Sequence, residues 1–453
     1  MKDRKRFMHF LIFETLFWFA AAAIFYAWQY TGGVIICILY IIWFLYARTL
    51  EHRFLVMLSG LPFQAIIKVS ASLPSASVVL YFLFVFFYLM EHDFAVKRKN
   101  VIAVMVLIFL NLIGYLRFQA SFSNLFSGFL MVVFAACAIE MFSHTEKSNE
   151  LFGQSLWVFS VSMLVDIFSV SVFPRLPYMI LLRKQLLLDR LNRFCALNGD
   201  PNYYGQLVLV AIGFLISFCI LNIRGKKYRN GLFSAVAAIV LSANGIRSIS
   251  KGYVIGLVAL LVLSVWFLVM ENKSAKQRPF WFVLFLLIGI IITAVFVRSY
   301  IMPLLSKRTD ADFFSGRLDI WKSYLRMFSE HFEIVFLGSG FFNTHPLMKA
   351  MMGVTKAAHN LYIEVLGDMG LIGILSVGVL WSGAASKVKM LSRSVTSLYF
   401  WGFLITSLSL SASANDLIYF VVPLFSALFT SDEYLDKEDR RAAALDTESL
   451  ETR

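Results

Sequence analysis

The sequence predicts an all-α fold, a polytopic transmembrane helical bundle of about 12–14 spans, and its composition and hydropathy carry that prediction. Hydrophobic residues make up 59% of the 453 residues and charged residues only 15%. Soluble globular chains have about 45–50% apolar and about 25% charged residues. The apolar residues also fall in long runs, and about 20 helical residues cross the hydrocarbon core of a bilayer. The composition therefore excludes a soluble enzyme, a disordered protein and a disulfide-stapled secreted domain.

Hydropathy places helices along residues 1–430, which we expect to form a single domain. The expected spans are 8–28, 30–47, 54–70, 74–90, 101–119, 123–142, 151–173, 204–223, 231–244, 253–270, 279–297, 360–381, 395–413 and 416–430. Gly60 and Pro62 interrupt the third run, and the run 231–244 is short. The acidic tail 431–453 lacks apolar periodicity, which predicts a cytoplasmic, disordered segment.

The net charge of +13 is unevenly distributed along the chain. With the N-terminus inside, short loops dense in Lys and Arg fall on the cytoplasmic side, as the positive-inside rule requires, so nucleic acid is not the expected partner. The other basic residues concentrate in the outer loops 174–203 and 298–359 and in a turn at 244–251. Long loops cross membranes largely regardless of charge. Arg247, however, lies between two apolar helices, where a charge is costly unless it has a function.

The loop 298–359 contains short patterns typical of a site. The run Ser315–Lys322 is amphipathic and predicts a helix on the membrane surface, and the glycines of Gly338-Ser339-Gly340 permit a tight turn. After the loop, a polar stripe shares one helical face and should face the bundle interior or a wet cleft. Its members are Asn360, Glu364 and Asp368. Gly370 and Gly373 allow a neighbouring helix to approach closely.

His359 stands where this loop meets the polar-faced helix, so a neutral imidazole there can accept a proton near pH 7. Two other histidines, His331 and His345, are also on the outer side, but no pair has the spacing of metal ligands. We therefore expect neither a metal nor a cofactor. In the loop 174–203, Arg190 and Arg193 lie three residues apart, which suits a phosphate clamp or ordinary solvation equally.

Five short motifs occur in one order along the chain. They are Asp200-Pro201-Asn202-x-x-Gly205, Gly245-Ile246-Arg247-Ser248, Gly316-Arg317-x-x-x-Trp321, Leu337-Gly338-x-Gly340 and His359-Asn360 followed by Asp368-x-Gly370. Together they resemble the bacterial O-antigen ligase and polymerase superfamily of membrane glycosyltransferases, although Ile246 stands where that family usually has Ser. The resemblance is best between about Arg190 and Gly373.

The resemblance implies a metal-independent glycosyltransferase on the outer face of the inner membrane, with an undecaprenyl-pyrophosphate-linked glycan as donor. Its catalytic residues map to His359, Arg247 and Arg317. Guanidinium groups stabilise charge on a leaving pyrophosphate, and the imidazole serves as base for the incoming hydroxyl. We expect Arg190, Arg193, Asn202, Asn360, Glu364, Asp368 and Asp416 to bind substrate. The implied partners are the donor, a glycan or lipid-linked acceptor, membrane lipid and a chain-length regulator.

Three functions remain open from the sequence, besides a non-catalytic membrane scaffold that would use the outer loop 298–359 as a binding platform. The first is polymerisation of lipid-linked repeat units by inverting glycosyl transfer, favoured by a span count above the usual twelve of the ligases. The second is an O-antigen ligase that transfers the glycan to lipid A core or another acceptor. The third, of a different class, is a transporter or flippase for polysaccharide lipid, but the halves show no duplication of the kind common in transporters.

Overall fold

The computed structural model describes residues 2–67, 75–93, 96–145, 148–176, 179–180, 194–224, 226–248, 250–270, 298, 317–354, 357–382, 397–408 and 416–427. Regular secondary structure in these ranges is helical throughout, which confirms the predicted fold class. The helices are α1 (Lys2–Tyr46), α2 (Leu50–Ser59), α3 (Ala76–Glu91), α4 (Arg98–Phe118), α5 (Phe122–His144), α6 (Ser148–Val172), α7 (Pro201–Arg224), α8 (Tyr228–Ile246), α9 (Lys251–Met270), α10 (Arg317–Glu330), α11 (Phe332–Leu337), α12 (Thr344–Met352), α13 (Leu361–Leu380), α14 (Leu398–Ser407) and α15 (Ile418–Ala427).

Six helices in the described ranges are long and apolar enough to cross a membrane, namely α1, α4, α5, α6, α7 and α13. Shorter apolar helices lie within α3, α9, α14 and α15. The predicted span 279–297 and the tail 431–453 lie outside the described residues. The exact number of spans therefore stays a prediction.

Helix α1 consists of two antiparallel helices, as the two apolar runs 8–28 and 30–47 predict. Gln29 separates them with a non-helical backbone (φ 47°, ψ −110°). The Trp43 indole N–H donates to the Glu14 carboxylate at 2.6 Å, and the Trp18 and Tyr40 rings lie 5.0 Å apart. In each pair, the two residues are about equally far from Gln29 along the chain. This is the pairing expected of two helices that run antiparallel from a turn at Gln29. Ser59 donates to the second oxygen of Glu14 at 2.7 Å, so the buried carboxylate is hydrogen-bonded on both sides.

Helix α2 begins four residues before the apolar run 54–70 and covers only the first six residues of that run. It ends at Ser59 with Gly60 as its C-cap, and a 3-10 turn follows at Leu61–Phe63. Pro62 cannot continue an α-helix because it lacks the N–H that the next turn requires. Ten helical residues extend about 15 Å, half of a bilayer core. The interruption predicted from Gly60 and Pro62 is confirmed.

Charged contacts mark one end of the bundle, which we call the charged end. Lys97 pairs with Glu140 at 2.9 Å, and this contact joins the start of α4 to the end of α5. Lys99 donates to Ser382 at 2.8 Å, which brings the end of α13 to the same level. The opposite ends of these helices therefore lie together at the other end of the bundle. We call it the site end, because His359 lies there, at the start of α13.

Helix α14 connects two parts of the bundle near the site end. The Gln206 amide on α7 donates to Ser407 at 3.2 Å, and the Tyr362 hydroxyl on α13 donates to the Leu404 carbonyl at 3.0 Å. Gln206 is in the second turn of α7, and Tyr362 is in the first turn of α13. The starts of α7 and α13 are thus held at the same height by one helix.

Candidate functional site

Arg247 lies at the site end in the turn between α8 and α9. Its guanidinium carbon lies 4.4 Å from the centre of the Phe194 ring, and Nη1 donates to Asn244 Oδ1 at 3.1 Å. The backbone N–H of Phe194 also donates to the Arg247 carbonyl at 3.0 Å. A planar guanidinium stacks favourably on an aromatic face. The exposed side chain is therefore oriented by two contacts before any substrate binds, and the third contact fixes its backbone.

Tyr253, near the start of α9, supports this turn. Its ring lies directly against Gly245, and its hydroxyl donates to the Ser242 carbonyl at 3.0 Å. A side-chain carbon at position 245 would collide with the ring, so only glycine permits this approach. Packing against Tyr253 therefore requires glycine at position 245, two residues before Arg247.

His359 has a strained backbone conformation directly before α13. Its φ angle is +47°, in the left-handed region that non-glycine residues seldom adopt. The next residue, Asn360, is the N-cap of α13 and accepts from the amides of Tyr362 at 3.0 Å and Ile363 at 3.3 Å. Backbone strain of this kind is common at functional sites and persists only where neighbouring contacts enforce it. The cap supplies such contacts on one side of His359.

Trp321 on α10 supplies the contact on the other side. Its indole N–H donates to the carbonyl of Ala358 at 2.8 Å. Ala358 is buried with Tyr324, which follows Trp321 on α10, and burial raises the pKa of the Tyr324 hydroxyl. Arg317 is the first residue of α10 and lies one turn before Trp321, so both share a helical face. Helix α10 therefore places Arg317 on the side of the helix that faces the His359 segment.

The residues of the polar stripe of α13 have different surroundings. Asn360 caps the helix, as described above. Glu364 is 2% exposed, one turn further. Asp368 accepts at one oxygen from the Thr344 amide at 2.8 Å and from the Thr344 hydroxyl at 2.5 Å. The carboxylate of Asp368 thus anchors the start of α12, and its predicted contact with substrate stays a prediction.

Two of the glycine motifs meet in space. Gly370 breaks α13 with φ 61° and ψ 175°, and Gly338 has φ 76° and ψ 171°. The break leaves the carbonyls of Gly367 and Asp368 open, and the amides of Ser339 and Gly340 donate to them at 2.8 and 3.0 Å. We call Gly338–Gly340 together with Gly370 the glycine lock. Gly338 lies against the backbone of Asp368 and Met369, and Gly370 lies against the backbone of Phe336 and Gly338. A Cβ at either glycine would collide with that backbone.

Helix α4 completes the lock from the other side. A Cβ at Gly114 would come within 2.6 Å of the Ser339 carbonyl oxygen, and the Asn111 side chain accepts from the Phe341 amide at 3.2 Å. The Ser339 hydroxyl donates to the Gly367 carbonyl at 3.0 Å. The lock therefore joins the outer-loop helices to both α13 and α4.

A small polar recess lies at the site end between α7 and α15. Its polar lining consists of Gln64, Asn198, Tyr203, Gln206 and Asp416. Asp416 lies two residues before α15, and Asn198 and Tyr203 flank the start of α7. Asn202, beside Tyr203, is in the first turn of α7, where Asp200 caps the helix by accepting from the Asn202 amide at 2.8 Å. Asp416 thus lines the recess with Tyr203, the residue that follows Asn202 in α7.

Five predicted site residues lie at one end of the bundle. Arg247, His359, Asn360, Asn202 and Asp416 belong to segments that the contacts of α7, α13 and α14 hold at that end. Arg190 and Arg193 lie outside the described residues. Within the described ranges, no three His, Cys, Asp or Glu side chains are grouped as metal ligands would be.

In a comparison with protein families, residues 236–378 match the O-antigen ligase family. We call these residues, about a third of the chain, the O-antigen ligase domain after the family that they match. Neither a curated protein nor a solved structure matches the chain. The match confirms, over these residues, the resemblance seen in the sequence, and the apolar helices indicate a multi-pass membrane protein.

The O-antigen ligase domain begins within α8 and ends two residues before the end of α13. It contains Arg247, Arg317, His359 and the whole glycine lock. Asn202 and Asp416 lie outside it, on α7 and before α15, and the polar recess that Asp416 lines also lies outside the domain.

Several residues of the candidate site are not apparent from the sequence. Phe194 orients Arg247, and Gln64 and Asn198 line the recess, but none of the three belongs to a motif. Asp166 gives a usable signal, because an acidic residue within an apolar run requires a partner. Its partner is the backbone of the segment 194–198.

Proposed function

We propose that the protein polymerises lipid-linked polysaccharide repeat units by inverting glycosyl transfer. The donor is a glycan linked to undecaprenyl pyrophosphate, and the acceptor is a sugar hydroxyl of another repeat unit. The observation that carries the proposal is an O-antigen ligase domain whose Arg247 is oriented at the same end of the bundle as the strained His359.

In the proposed reaction, an oxygen of the acceptor hydroxyl attacks the anomeric carbon of the donor. The new C–O bond forms as the bond from that carbon to the phosphate oxygen breaks, and the electron pair leaves with the pyrophosphate. The hydroxyl proton passes to the His359 imidazole. A single displacement of this kind inverts the anomeric centre.

Arg247 and Arg317 stabilise the negative charge that grows on the leaving pyrophosphate. Charge stabilisation lowers a barrier most when the donors are oriented before the reaction, because no reorganisation is then required. The stacking on Phe194 and the bond to Asn244 give Arg247 that orientation. The N-terminus of α13, beside His359, adds a partial positive charge that also favours an anion.

The glycan requires hydrogen-bonding groups, and two sets are available. Asn360 and Glu364 lie on the α13 face next to His359, and the recess offers the side chains of Gln64, Asn198 and Asp416. Amide and carboxylate groups both suit sugar hydroxyls, which donate and accept hydrogen bonds. We assign the recess and the start of α13 to the sugar part of the substrates.

The proposed location is the inner membrane with the site end outward. The short loops rich in Lys and Arg then lie in the cytoplasm, and the charged end of the bundle with them. A lipid-linked donor reaches the site end sideways from the outer leaflet. The reaction requires no metal in this proposal, since the guanidinium groups supply the positive charge.

The test uses purified protein and purified lipid-linked repeat units, with chain growth followed on gels. His359→Ala and Arg247→Ala are expected to abolish or strongly reduce growth. His331→Ala and Arg326→Ala are matched controls, because both side chains are partly exposed on the outer loop and pair with Glu333 and Glu330 there. Wild-type growth with both site variants would refute the mechanism.

The ligase alternative is favoured by the name of the matching family, and the same assay separates it from polymerisation. A polymerase extends chains with the lipid-linked repeat unit as sole substrate. A ligase forms product only after a second acceptor, such as lipid A core, is added. Movement of the donor across proteoliposomes without a new glycosidic bond would instead indicate transport.

A further inference from the structure

Asp166 is a fully buried carboxylate in α6, six residues before the helix ends at the site end of the bundle. A buried ionisable group is costly unless it has hydrogen-bonding partners. One oxygen accepts from the backbone amide of Leu197 at 2.9 Å. The other has no hydrogen-bond partner among the residues that the structure describes. The hydrogen bond from Leu197 is therefore the contact that compensates for burial of the Asp166 carboxylate.

Leu197 belongs to the segment 194–198, which joins α6 to the candidate site. The Leu197 carbonyl accepts from the Ala65 amide at 3.1 Å, so the peptide groups on both sides of this residue are fixed. Three residues earlier, Phe194 stacks on the Arg247 guanidinium and donates its amide to the Arg247 carbonyl. Phe194 also contacts Tyr204 edge to face, with ring centres 5.3 Å apart. Asn198, the next residue after Leu197, lines the polar recess.

We propose that Asp166 is a positioning residue that sets the orientation of Arg247 through the segment 194–198. The inference rests on the proposed function, in which Arg247 stabilises the leaving pyrophosphate. Without the carboxylate, the Leu197 amide has no acceptor, and the segment shifts with the ring on which the guanidinium lies. Asp166 itself lies beneath this segment and touches no substrate.

The position of Asp166 predicts a particular kinetic signature. Arg247 acts on charge that develops only in the transition state, so its misplacement lowers kcat more than it raises KM. A displacement of about 1 Å in a catalytic group reduces rates by about 100-fold. For Asp166→Leu we expect kcat to fall by about 10- to 100-fold and KM to change by less than about threefold. Asp166→Asn keeps an oxygen that can accept from Leu197 and should stay within about threefold of wild type.

Ser169 provides a matched control in the same helix. It is as completely buried as Asp166 and lies three residues further along α6. Ser169→Ala should leave kcat and KM unchanged. All variants are compared at equal amounts of monodisperse protein, measured by size-exclusion chromatography.

The decisive test is a double-mutant cycle with Arg247→Lys, which keeps the charge but loses the planar group that stacks on Phe194. If Asp166 acts through Arg247, Asp166→Leu lowers kcat by less than about threefold in the Arg247→Lys background. A full, additive loss there would overturn the inference and leave the proposed function intact. Wild-type activity of Arg247→Ala would instead overturn the proposed function, and this inference with it.

A second variant covers the case in which Asp166→Leu does not fold. Phe194→Leu removes the ring and keeps the backbone of the segment. Phe194→Leu should lower kcat as much as Asp166→Leu does. In the Arg247→Lys background it should lower kcat by less than about threefold. Wild-type kcat for Phe194→Leu would overturn the proposed route from Asp166 to Arg247.

Discussion

The glycine lock predicts that a single added methyl group at Gly338 separates the outer-loop helices from α13. The backbone of Gly338 (φ 76°, ψ 171°) lies in a region that is essentially restricted to glycine, and other residues there incur about 1–3 kcal/mol. A Cβ would also collide with the Asp368 carbonyl, so the amides of Ser339 and Gly340 would lose their acceptors. Each backbone hydrogen bond contributes about 1 kcal/mol net. Gly338→Ala should therefore cost about 3–5 kcal/mol.

Two measurements check this value. A local loss of about 3 kcal/mol accelerates hydrogen exchange by about 100-fold, so mass spectrometry should show that loss of protection in peptides containing Ser339 and Gly340. Unfolding entropy is about 2.1 cal/mol/K per residue, which makes 1 kcal/mol equal to about 1 °C for a chain of this length. The midpoint of thermal unfolding in detergent should fall by about 3–5 °C.

Two other glycines serve as controls for this prediction. Gly353 has φ +67° but open space around its Cβ position, so Gly353→Ala introduces strain without a collision and should cost about 1 kcal/mol. Gly378 in α13 also has open space and no positive φ, so Gly378→Ala should not destabilise the protein. Exchange at Ser339 and Gly340 that is the same in Gly338→Ala and Gly353→Ala would refute the reasoning.

Three further predictions concern the loop helices and the chemistry. Trp321→Phe removes the donor to the Ala358 carbonyl, so we expect about a tenfold fall in kcat in the chain-growth assay, with wild-type activity as the contrary result. Thr344→Val removes a donor to the buried Asp368 and should lower the free energy of unfolding by about 1–3 kcal/mol, whereas Thr344→Ser should not. A metal chelator should leave chain growth unchanged, and activity restored only by added divalent cation would contradict the proposed mechanism.

The helical bundle was largely predictable, because the apolar runs correspond to real helices. The runs 101–119 and 204–223 match α4 and α7 within three residues at each end, and the two runs around Gln29 match the halves of α1. The interruption at Gly60 followed from Pro62, whose geometry is fixed by its ring. Hydropathy did not predict the length of α2, because an apolar run does not distinguish a half-length helix from a full span.

The contacts of the site were less predictable than its residues. Gly370 was expected to permit close helix approach, but its backbone angles, which break α13, leave no trace in hydropathy. The recess draws Gln64, Asn198 and Asp416 from three distant segments, and the partner of Arg247 is a phenylalanine outside every motif. Such contacts depend on tertiary packing, so the sequence predicted which residues to consider but not which atoms they meet.

The break in α13 also constrains how the protein is assembled. Inside a bilayer, each carbonyl without a hydrogen-bond donor costs several kcal/mol, so 361–380 is a poor membrane segment by itself. Its missing donors, the amides of Ser339 and Gly340, are synthesised about thirty residues earlier and must wait at the membrane surface. Insertion of the helix and docking of the loop therefore become one coupled step of biogenesis. A ribosome-bound chain that stops before residue 370 would therefore carry the loop without the complete helix on which it docks.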